Sequence, residues 1–327
     1  MRYLPNGKQM SEADAHTIHE IGIPSLVLME RAALQIVETM HKKNISTEKS
    51  LIVCGSGNNG GDGFAVARLL TEQGKHADVL FAGKEASLSE ECRCQKQIVE
   101  NMGISVFTEF PDEEYTVIID AVFGVGLCRE ITGHYKDVID WMNLQDAEKV
   151  AVDIPSGICA ATGKILGTAF RADLTVCMAC VKLGCELFPG KSYAGESIPV
   201  AIGIDPKYFS NRLDVCYTFD KNDLEKLLPS RMMNSHKGSY GKVLIIAGNE
   251  TMSGAACFAA EAALRMGAGL VKVLSDVQNR SVLQTKLPEI LFGERKDLKE
   301  SLNWCDCILF GPGIGVSEET KEMLEMI

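Results

Sequence analysis

Short apolar runs rich in β-branched residues alternate with segments of helical periodicity from residue 51 onward. Helices are predicted from about residue 63 and near residues 89–102. The predicted strands are 51–54, 78–82, 116–120, 149–153, 173–180 and 198–203. This alternation is typical of βαβ units. It predicts a Rossmann-like, doubly wound α/β sheet whose ligands bind at the carboxyl ends of the strands.

The segment before the first of these strands has a helical pattern. Residues 11–41 predict one or two helices, since their apolar positions recur at helical spacing. Ser11 is expected to cap the start, and Glu12 and Asp14 suit the positive end of the helix dipole. The Gly22-Ile23-Pro24 interruption is expected to break the run into two helices.

A second α/β series begins at Lys242. Its predicted elements are a strand at 242–247, a helix at 254–266 and strands at 270–274 and 307–310. A loop-like region at 205–235 separates the two series. A chain of 327 residues is long for one domain, so we predict domains at 1–215 and 225–327.

The glycine-rich segment 54–64 follows the first predicted strand and precedes a helix. Its composition predicts a strand-to-helix turn where backbone N–H groups face a ligand. Asn58, Asn59 and Asp62 add side-chain oxygens that suit sugar hydroxyls or a hard cation. The alternative is a tight turn that only needs positive φ angles.

Polar residues also follow three later strands. Asp120 and Asp153 each end an apolar run and precede a sharp turn, and Lys182 follows the strand at 173–180. Strand-end carboxylates followed by glycine favour ligand binding, although a capping aspartate is the simpler alternative. A lysine in this position is more often a solvated loop charge. The common placement predicts that these side chains share one cleft.

Three segments together resemble one known family: Asn58–Gly63, Asp120–Leu127 and Val152–Gly157. They resemble the signatures of NAD(P)H-hydrate epimerases, which form the N-terminal half of bifunctional NAD(P)H-hydrate repair enzymes. The segments occur in the family's order and at its approximate spacing. The resemblance extends over nearly the whole chain.

This resemblance implies an isomerase that interconverts the R and S forms of NADH hydrate and NADPH hydrate at C6 of the nicotinamide ring. Our hypothesis is that Asp153 and Lys182 form the acid/base pair, with their order of action undetermined. The substrate-binding residues that the resemblance implies are Asn58, Asn59, Gly60, Gly61, Asp62, Gly124, Val125, Gly126, Leu127, Cys128, Arg129, Glu130 and Asp153.

The resemblance also implies a monovalent cation, expected to be potassium, on Asn59, Asp120 and Ser156. An amide carbonyl, a carboxylate and a hydroxyl form a coherent set of hard oxygen ligands. The residues alone do not select potassium over another hard cation.

The second domain resembles the start of the ADP- or ATP-dependent NAD(P)H-hydrate dehydratase, which has a ribokinase-like fold. Ser235–Lys242 matches its HKGxxG segment, and the resemblance implies that Ala255 and Gly315 line the hydrate pocket. No GxGD follows Gly315, so we expect an incomplete domain in which the family's dehydration of the S form is not assured. Alone, 225–327 is expected to be poorly stable because it would expose strand edges.

Composition excludes some classes of function. The net charge of −11 and the lack of a basic block argue against nucleic acid as a partner. Since no apolar stretch suits a bilayer span or a secretory signal, we expect no membrane association and a cytoplasmic location. The 12 cysteines are expected to be small buried residues, and the Cys177/Cys180 pair lacks a second pair at zinc spacing.

Two other classes of function stay open from the residues. One is a non-catalytic Rossmann-like binding or scaffold module, and the other is a small-molecule kinase built on the second domain. The joint presence of Asn59, Asp62, Asp120, Asp153 and Lys182 favours catalysis. The resemblance also makes a homodimer an expectation.

Overall fold

The computed structural model describes residues 1–228 and 230–327, so Pro229, within the predicted loop-like region, lies outside the described residues. The chain divides into two compact units, Met1–Leu227 and Leu228–Ile327. The first unit includes a strand at Cys216–Thr218, which pairs antiparallel with Arg2–Leu4.

The strands of the first unit are β1 (Arg2–Leu4), β2 (Lys49–Cys54), β3 (His76–Phe81), β4 (Val106–Phe107), β5 (Val117–Ala121), β6 (Glu148–Val152), β7 (Leu174–Met178), β8 (Glu196–Val200) and β9 (Cys216–Thr218). Its helices are α1 (Gly7–His19), α2 (Ser25–Lys42), α3 (Asn58–Glu72), α4 (Glu90–Asn101), α5 (His134–Leu144), α6 (Leu183–Glu186), α7 (Lys191–Ala194) and α8 (Leu224–Leu227).

A seven-stranded sheet forms the centre of the first unit, in the order β4-β3-β2-β5-β6-β7-β8. All of its neighbouring strands are parallel. The chain runs outward from β2 through β3 to β4, then returns to β5 and continues the other way. The strand order therefore reverses between β2 and β5, which is where open α/β sheets bind ligands. The predicted fold class is confirmed.

Apolar spacing explains how α2 packs. Ala32, Ile36 and Met40 recur every four residues, are at most 2% exposed, and join one core with Phe64 of α3. On the other face of the sheet, a second core includes Val138 of α5. The sheet is thus covered on both faces, as the near-continuous apolar strands require.

The predicted cap of the first helix was wrong. Asn6, and not Ser11, caps α1: the Asn6 side chain accepts from the Gln9 backbone N–H at 3.0 Å, and the Gln9 side chain accepts from the Asn6 N–H at 2.9 Å. This reciprocal capping box starts the helix four residues earlier than predicted. Ser11 lies inside the helix and donates to the Gly7 carbonyl. The predicted break before α2 is confirmed, since the two helices end and begin at His19 and Ser25.

The glycine-rich segment is also more helical than predicted. The turn is confined to Gly55–Gly57, and Asn58 already begins α3. A Cβ on Gly60 would lie 2.0 Å from the Gly55 carbonyl oxygen, and one on Gly61 would lie 2.6 Å from Cε of Met29. These two glycines therefore allow α3 to pack closely, which explains why the helix absorbs them.

Strand limits differ from the predictions by a few residues. β3 begins at His76, and β7 ends at Met178 instead of residue 180. The end of β7 has a local cause, because Ala179 adopts φ 59° and turns the chain away from the sheet.

Half of the cysteines depart from the expected burial. Six of the 12 are buried, whereas Cys94, Cys128, Cys216 and Cys307 are exposed. Cys307 is exposed because its strand lies at the edge of the sheet of the second unit, where alternate residues face outward.

The second unit contains a four-stranded parallel sheet in the order β12-β11-β10-β13, with an apolar core on each face. Its strands are β10 (Lys242–Ile246), β11 (Leu270–Ser275), β12 (Leu291–Glu294) and β13 (Cys307–Phe310). Its helices are α9 (Ser253–Arg265), α10 (Asn279–Lys286), α11 (Leu298–Trp304) and α12 (Glu318–Glu325).

Within residues 1–228 and 230–327, no helix combines the length and apolar character needed to cross a bilayer.

Gly60→Ala should destabilise the first unit by about 1–3 kcal/mol, because the cost of overpacking exceeds the ~1 kcal/mol that alanine gains in a helix. Urea unfolding followed by circular dichroism measures this change. Gly57→Ala is the matched control, since a Cβ there meets nothing within 4 Å. Equal stability of the two variants would contradict the packing role of Gly60.

Candidate active site

A cleft of about 500 Å³, called here the first cleft, opens at the carboxyl ends of β2, β5, β6 and β7. It lies where the strand order of the sheet reverses. The strand-end residues that line it are Ser56–Asn59, Asp62, Val122–Arg129, Asp153 and Met178. The remaining lining comes from α1, α2 and the segment after β8: Met10, Ser11, Asp14, Ser25, Leu28, Met29, Ala32, Ile202 and Ile204.

Asp153 lies at the end of β6 in an unusual backbone conformation, with φ 70°. Its N–H donates to the Val176 carbonyl at 2.8 Å, and its side-chain Oδ1 accepts from the Met178 N–H at 3.0 Å. A positive φ is uncommon outside glycine, and such strain concentrates at functional sites. These bonds to the chain around β7 hold the carboxylate against the first cleft, where the residue is 8% exposed.

Lys182 lies directly behind Asp153. Its Nζ donates to Oδ1 of Asp153 and, at 2.9 Å, to the Met178 carbonyl, and the residue has no exposed surface. Burial lowers the pKa of this amine, but Asp153, Cys177 and Cys185 together raise it by more, so the pKa lies above its usual value. Lys182 is therefore protonated at neutral pH and does not line the first cleft.

Asp120 and Ser156 join the ends of β5 and β6. Ser156 donates from its hydroxyl to Oδ1 of Asp120 and from its N–H to Oδ2, each at 2.7 Å. The same hydroxyl accepts from the Phe123 N–H at 2.8 Å. Burial raises the pKa of Asp120 to about 6, although the bonds from Ser156 oppose that rise.

Asn59 supplies an amide near this network. Its side-chain Nδ2 is buried and has no hydrogen-bond partner among the described residues. Its Oδ1 lies 3.3 Å from where a Cβ on Gly124 would be, so the glycine leaves room for the amide. The Asn59 carbonyl oxygen, the Asp120 carboxylate and the Ser156 hydroxyl are hard oxygen ligands, and this donor set fits a cation.

The structure brings most of the other sequence-predicted residues to the first cleft. Asn58 and Asp62 line it, as do Gly124 to Arg129 of the loop after β5. Gly60 and Gly61 are buried behind the wall in α3, and Glu130 is exposed outside the lining.

Asp14 is the main cleft residue that sequence reasoning did not identify as a site candidate. It lies on α1, four residues after Met10, and both line the first cleft. Met10, Ala13 and Thr17 are buried on the same face of α1. The available clue was the carboxylate beside an apolar helix face, because charged side chains seldom lie against apolar surface unless they are paired.

Two carboxyl groups that line the first cleft have raised pKa values. The pKa of Asp62 lies well above its usual value because of burial first, and then because of the charges of Asp153 and Asp14. Burial and Asp153 likewise raise the pKa of Asp14. Asp62 and Asp14 can thus donate hydrogen bonds to a polar ligand more readily than ordinary surface aspartates can.

In the second unit, Ala255 and Gly315 lie near the carboxyl ends of β10 and β13. A Cβ on Gly313 would lie 2.7 Å from Cβ of Ala255, and one on Gly315 would lie 3.5 Å from Nδ2 of Asn249. The two predicted residues therefore flank one glycine turn. The HKGxxG match at His236–Gly241 forms a short 3₁₀ turn just before β10.

A parallel sheet in this order, with carboxylates and a glycine-rich helix start at its switch point, defines a Rossmann-like protein that binds small molecules. Two family models match the chain. Residues 25–184 match the family described as YjeF-related protein N-terminus, and residues 243–327 match the NAD(P)H-hydrate dehydratase family.

Curated relatives cover both units. A bifunctional NAD(P)H-hydrate repair enzyme of Coxiella burnetii is 33% identical over 332 residues, which cover 100% of this chain and 68% of that protein. The Escherichia coli repair enzyme is 33% identical, and the match covers 94% of this chain and 60% of that protein. An NAD(P)H-hydrate epimerase of Oenococcus oeni is 42% identical over 201 residues, which cover 61% of this chain and 96% of that protein.

The crystal structure of the yeast protein ynu0 shares the fold, with a TM-score of 0.55 and 19% identity over 67% of this chain and 97% of that one. Taken with the curated relatives, the chain belongs to the NAD(P)H-hydrate repair enzyme family.

Asp62→Asn should raise the melting temperature of the first unit by a few degrees at pH 7. Folding raises the pKa of Asp62, so the carboxyl ionises more readily in the unfolded chain than in the folded protein. The free energy of unfolding therefore falls as the pH rises from the pKa of the unfolded chain through that of the folded protein, and it stays lower above that range. The rise in melting temperature that Asp62→Asn produces should therefore vanish near pH 4. Calorimetry of both proteins at pH 7 and pH 4 measures the difference.

The matched control is Asp140→Asn, where Lys136 lowers the pKa of the carboxyl and the sign reverses. That variant should be no more stable than the wild type at pH 7. A gain that persists at low pH would contradict the role given to Asp62.

Proposed function

We propose that the first unit interconverts the R and S forms of hydrated NADH and NADPH at C6 of the nicotinamide ring. The observation that carries this proposal is the Asp153–Lys182 pair, whose carboxylate borders the first cleft and whose ammonium is fully buried behind it. The names of the matching relatives support the same activity.

The reaction needs proton transfer and no change of oxidation state. The ring nitrogen N1 donates its lone pair to C6 as the C6–O bond breaks, and the hydroxyl leaves as water after receiving one proton. Water then adds to the opposite face of C6, the C6–O bond reforms, and the released proton returns to the protein. The first proton comes from a carboxyl group beside C6 in its protonated form, and the resulting carboxylate takes a proton from the water that adds. One group thus serves as acid and then as base, which typically contributes about 10²–10⁴-fold in rate.

Asp153 is the group that we place against the substrate. Both of its hydrogen bonds from Met178 and Lys182 fall on Oδ1, which leaves Oδ2 for the ligand. Lys182 is better described as a positioning residue, because it keeps its proton and reaches the first cleft only through Asp153. Asp62 and Asp14 also line the first cleft and would then contact the polar groups of the nicotinamide riboside.

We also propose that Asn59, Asp120 and Ser156 hold potassium. Their hard oxygens fit such an ion, which would supply positive charge beside the first cleft. Asp120 and Ser156 already fix the loop after β5, so these residues orient the cleft wall as well.

For the second unit, we propose a share in the dehydratase activity after which its matching family is named, with ADP or ATP as the cofactor. The approach of Ala255 to the Gly313–Gly315 turn supports a binding edge there. Return of NADPH from purified S hydrate, measured with and without ADP or ATP, tests this proposal. The absence of nucleotide-dependent return would reject it.

Asp153→Asn should lower the rate of epimerisation by at least about 10²-fold, since the acid/base group is removed. Purified R hydrate and chiral separation of the products measure the rate. Asp140→Asn, at an exposed carboxylate outside the cleft, is the control and should keep its rate. A folded wild type without epimerisation that still binds the hydrate would favour the non-catalytic binding module instead.

Lys182→Met should lower kcat for R hydrate with little change in KM. The variant loses the donor that fixes Oδ1 of Asp153, but the lining of the first cleft stays the same. The readout is kcat and KM measured separately, with circular dichroism as the check on folding. An unchanged kcat in a folded variant would mean that Lys182 is only a packing residue.

Ser156→Ala should weaken the response to potassium. Wild-type epimerisation should be faster in potassium chloride than in choline chloride of equal ionic strength, and the variant should show a smaller difference. Because the control salt holds ionic strength constant, general screening does not contribute. Equal wild-type rates in both salts would overturn the cation proposal.

A further inference from the structure

A second cleft, of about 450 Å³, adjoins the first. The two share Ser11 and the loop segment 125–128, so that loop is a wall common to both. The far side of the second cleft is formed by the turn 159–161, and its near side by the first turn of α1. Apart from that loop, the lining of the second cleft lies outside the family signatures and the acid/base pair.

Helix α1 approaches the shared loop closely. A Cβ on Gly7 would lie 2.3 Å from the Val125 carbonyl oxygen, so only glycine allows this contact. The first turn of α1 therefore rests on the loop, and the two clefts adjoin beside this contact, where they share Ser11 and residues 125–128.

The size of the substrate suggests a use for two adjoining clefts. A dinucleotide consists of two nucleotide halves joined by a pyrophosphate. When its nicotinamide ring reaches Asp153 in the first cleft, the adenosine half has to leave that cleft. Ligand sites typically bury most of a ligand's surface, and the second cleft offers the adjoining concave surface.

The chemistry of the second cleft suits an anionic nucleotide. Among the described residues that line it, Lys8 is the only charged one. Lys8 is 86% exposed at its side chain, and its nearest carboxylate partner, on Glu12, is 3.9 Å away, so the ammonium is available to a phosphate.

The turn at Cys159 indicates the same preference for negative charge. Burial raises the pKa of the Cys159 thiol. Hydrogen bonds from the Thr162 side chain and from the backbone N–H groups of Ala161 and Thr162, together with the charge of Lys164, lower it by more. Donors that favour a thiolate also favour a phosphate or ribose oxygen at the same position.

We propose that the second cleft binds the adenosine half of the dinucleotide, and that Lys8 contacts the 2′-phosphate that distinguishes NADPH hydrate from NADH hydrate. This inference rests on the proposed epimerase function. It makes Lys8 a specificity-determining residue on α1, distant along the chain from the catalytic carboxylate.

The first test compares the two substrates. In Lys8→Ala, kcat/KM for NADPH hydrate should fall about fivefold to tenfold more than kcat/KM for NADH hydrate, as expected for the loss of one charge-assisted contact. Lys42→Ala is the matched control, since Lys42 is also an exposed helical lysine paired with a glutamate four residues away. Its substrate preference should equal that of the wild type. An unchanged preference in Lys8→Ala overturns the role of Lys8.

The second test needs no turnover. Adenosine 2′,5′-bisphosphate, a mimic of the adenosine half, should slow alkylation of Cys159 by iodoacetamide and leave Cys94 of α4 unaffected. Lys8→Ala should weaken this protection more for the 2′,5′-bisphosphate than for 5′-AMP. Unchanged alkylation of Cys159 at millimolar bisphosphate would overturn the assignment of the second cleft. Protection without epimerisation would reject the proposed function and keep this assignment.

Discussion

The buried ion pair between Lys182 and Asp153 is the interaction on which the site depends. A lysine without exposed surface is stable only if its charge is matched, and a carboxylate and a carbonyl accept from its ammonium here. Loss of either partner would leave an uncompensated buried charge. The pair also constrains the sheet, because Asp153 reaches Met178 only when β6 and β7 keep their Val152–Val176 register.

A second network organises the irregular part of the site. The loop after β5 has little regular structure, so the sheet ladder cannot fix it. The Ser156 hydroxyl does so instead, by donating to Asp120 and accepting from the Phe123 N–H. Both networks lie at strand ends next to the switch point. The sheet therefore places a rigid set of polar groups on one side of the cleft, and the wall from α2 and the segment after β8 is mostly apolar.

Much of this arrangement could be predicted from the sequence, for physical reasons. Parallel strands are buried on both faces, so their apolar runs are distinct, and polar residues directly after them lie at one edge. Asp120 and Asp153 were predictable in that way. The helical state of Asn58 to Gly63 was not, because the close contact of Gly60 with Gly55 depends on tertiary packing.

The role of α1 was still harder to predict. Asp14 suited the first turn of a helix, and only the cap at Asn6 and the packing of Met10 turn it toward the first cleft. The burial of Lys182 also cannot be predicted from the neighbouring residues, because an isolated lysine after a strand is ordinarily solvated. Its partner is 29 residues away in the sequence.

The pairing of β1 with β9 has a consequence for how the protein is made. Helix α1 is held at its start by contacts with the end of the first unit: Gln9 donates to the Asp214 carbonyl, 205 residues later, at 2.7 Å, and Arg212 pairs with Glu12. During synthesis α1 leaves the ribosome long before Arg212 and Asp214, its anchors. Its apolar face must therefore wait uncovered while the sheet assembles, and a nascent chain acquires the wall of its cleft only when the first unit is complete.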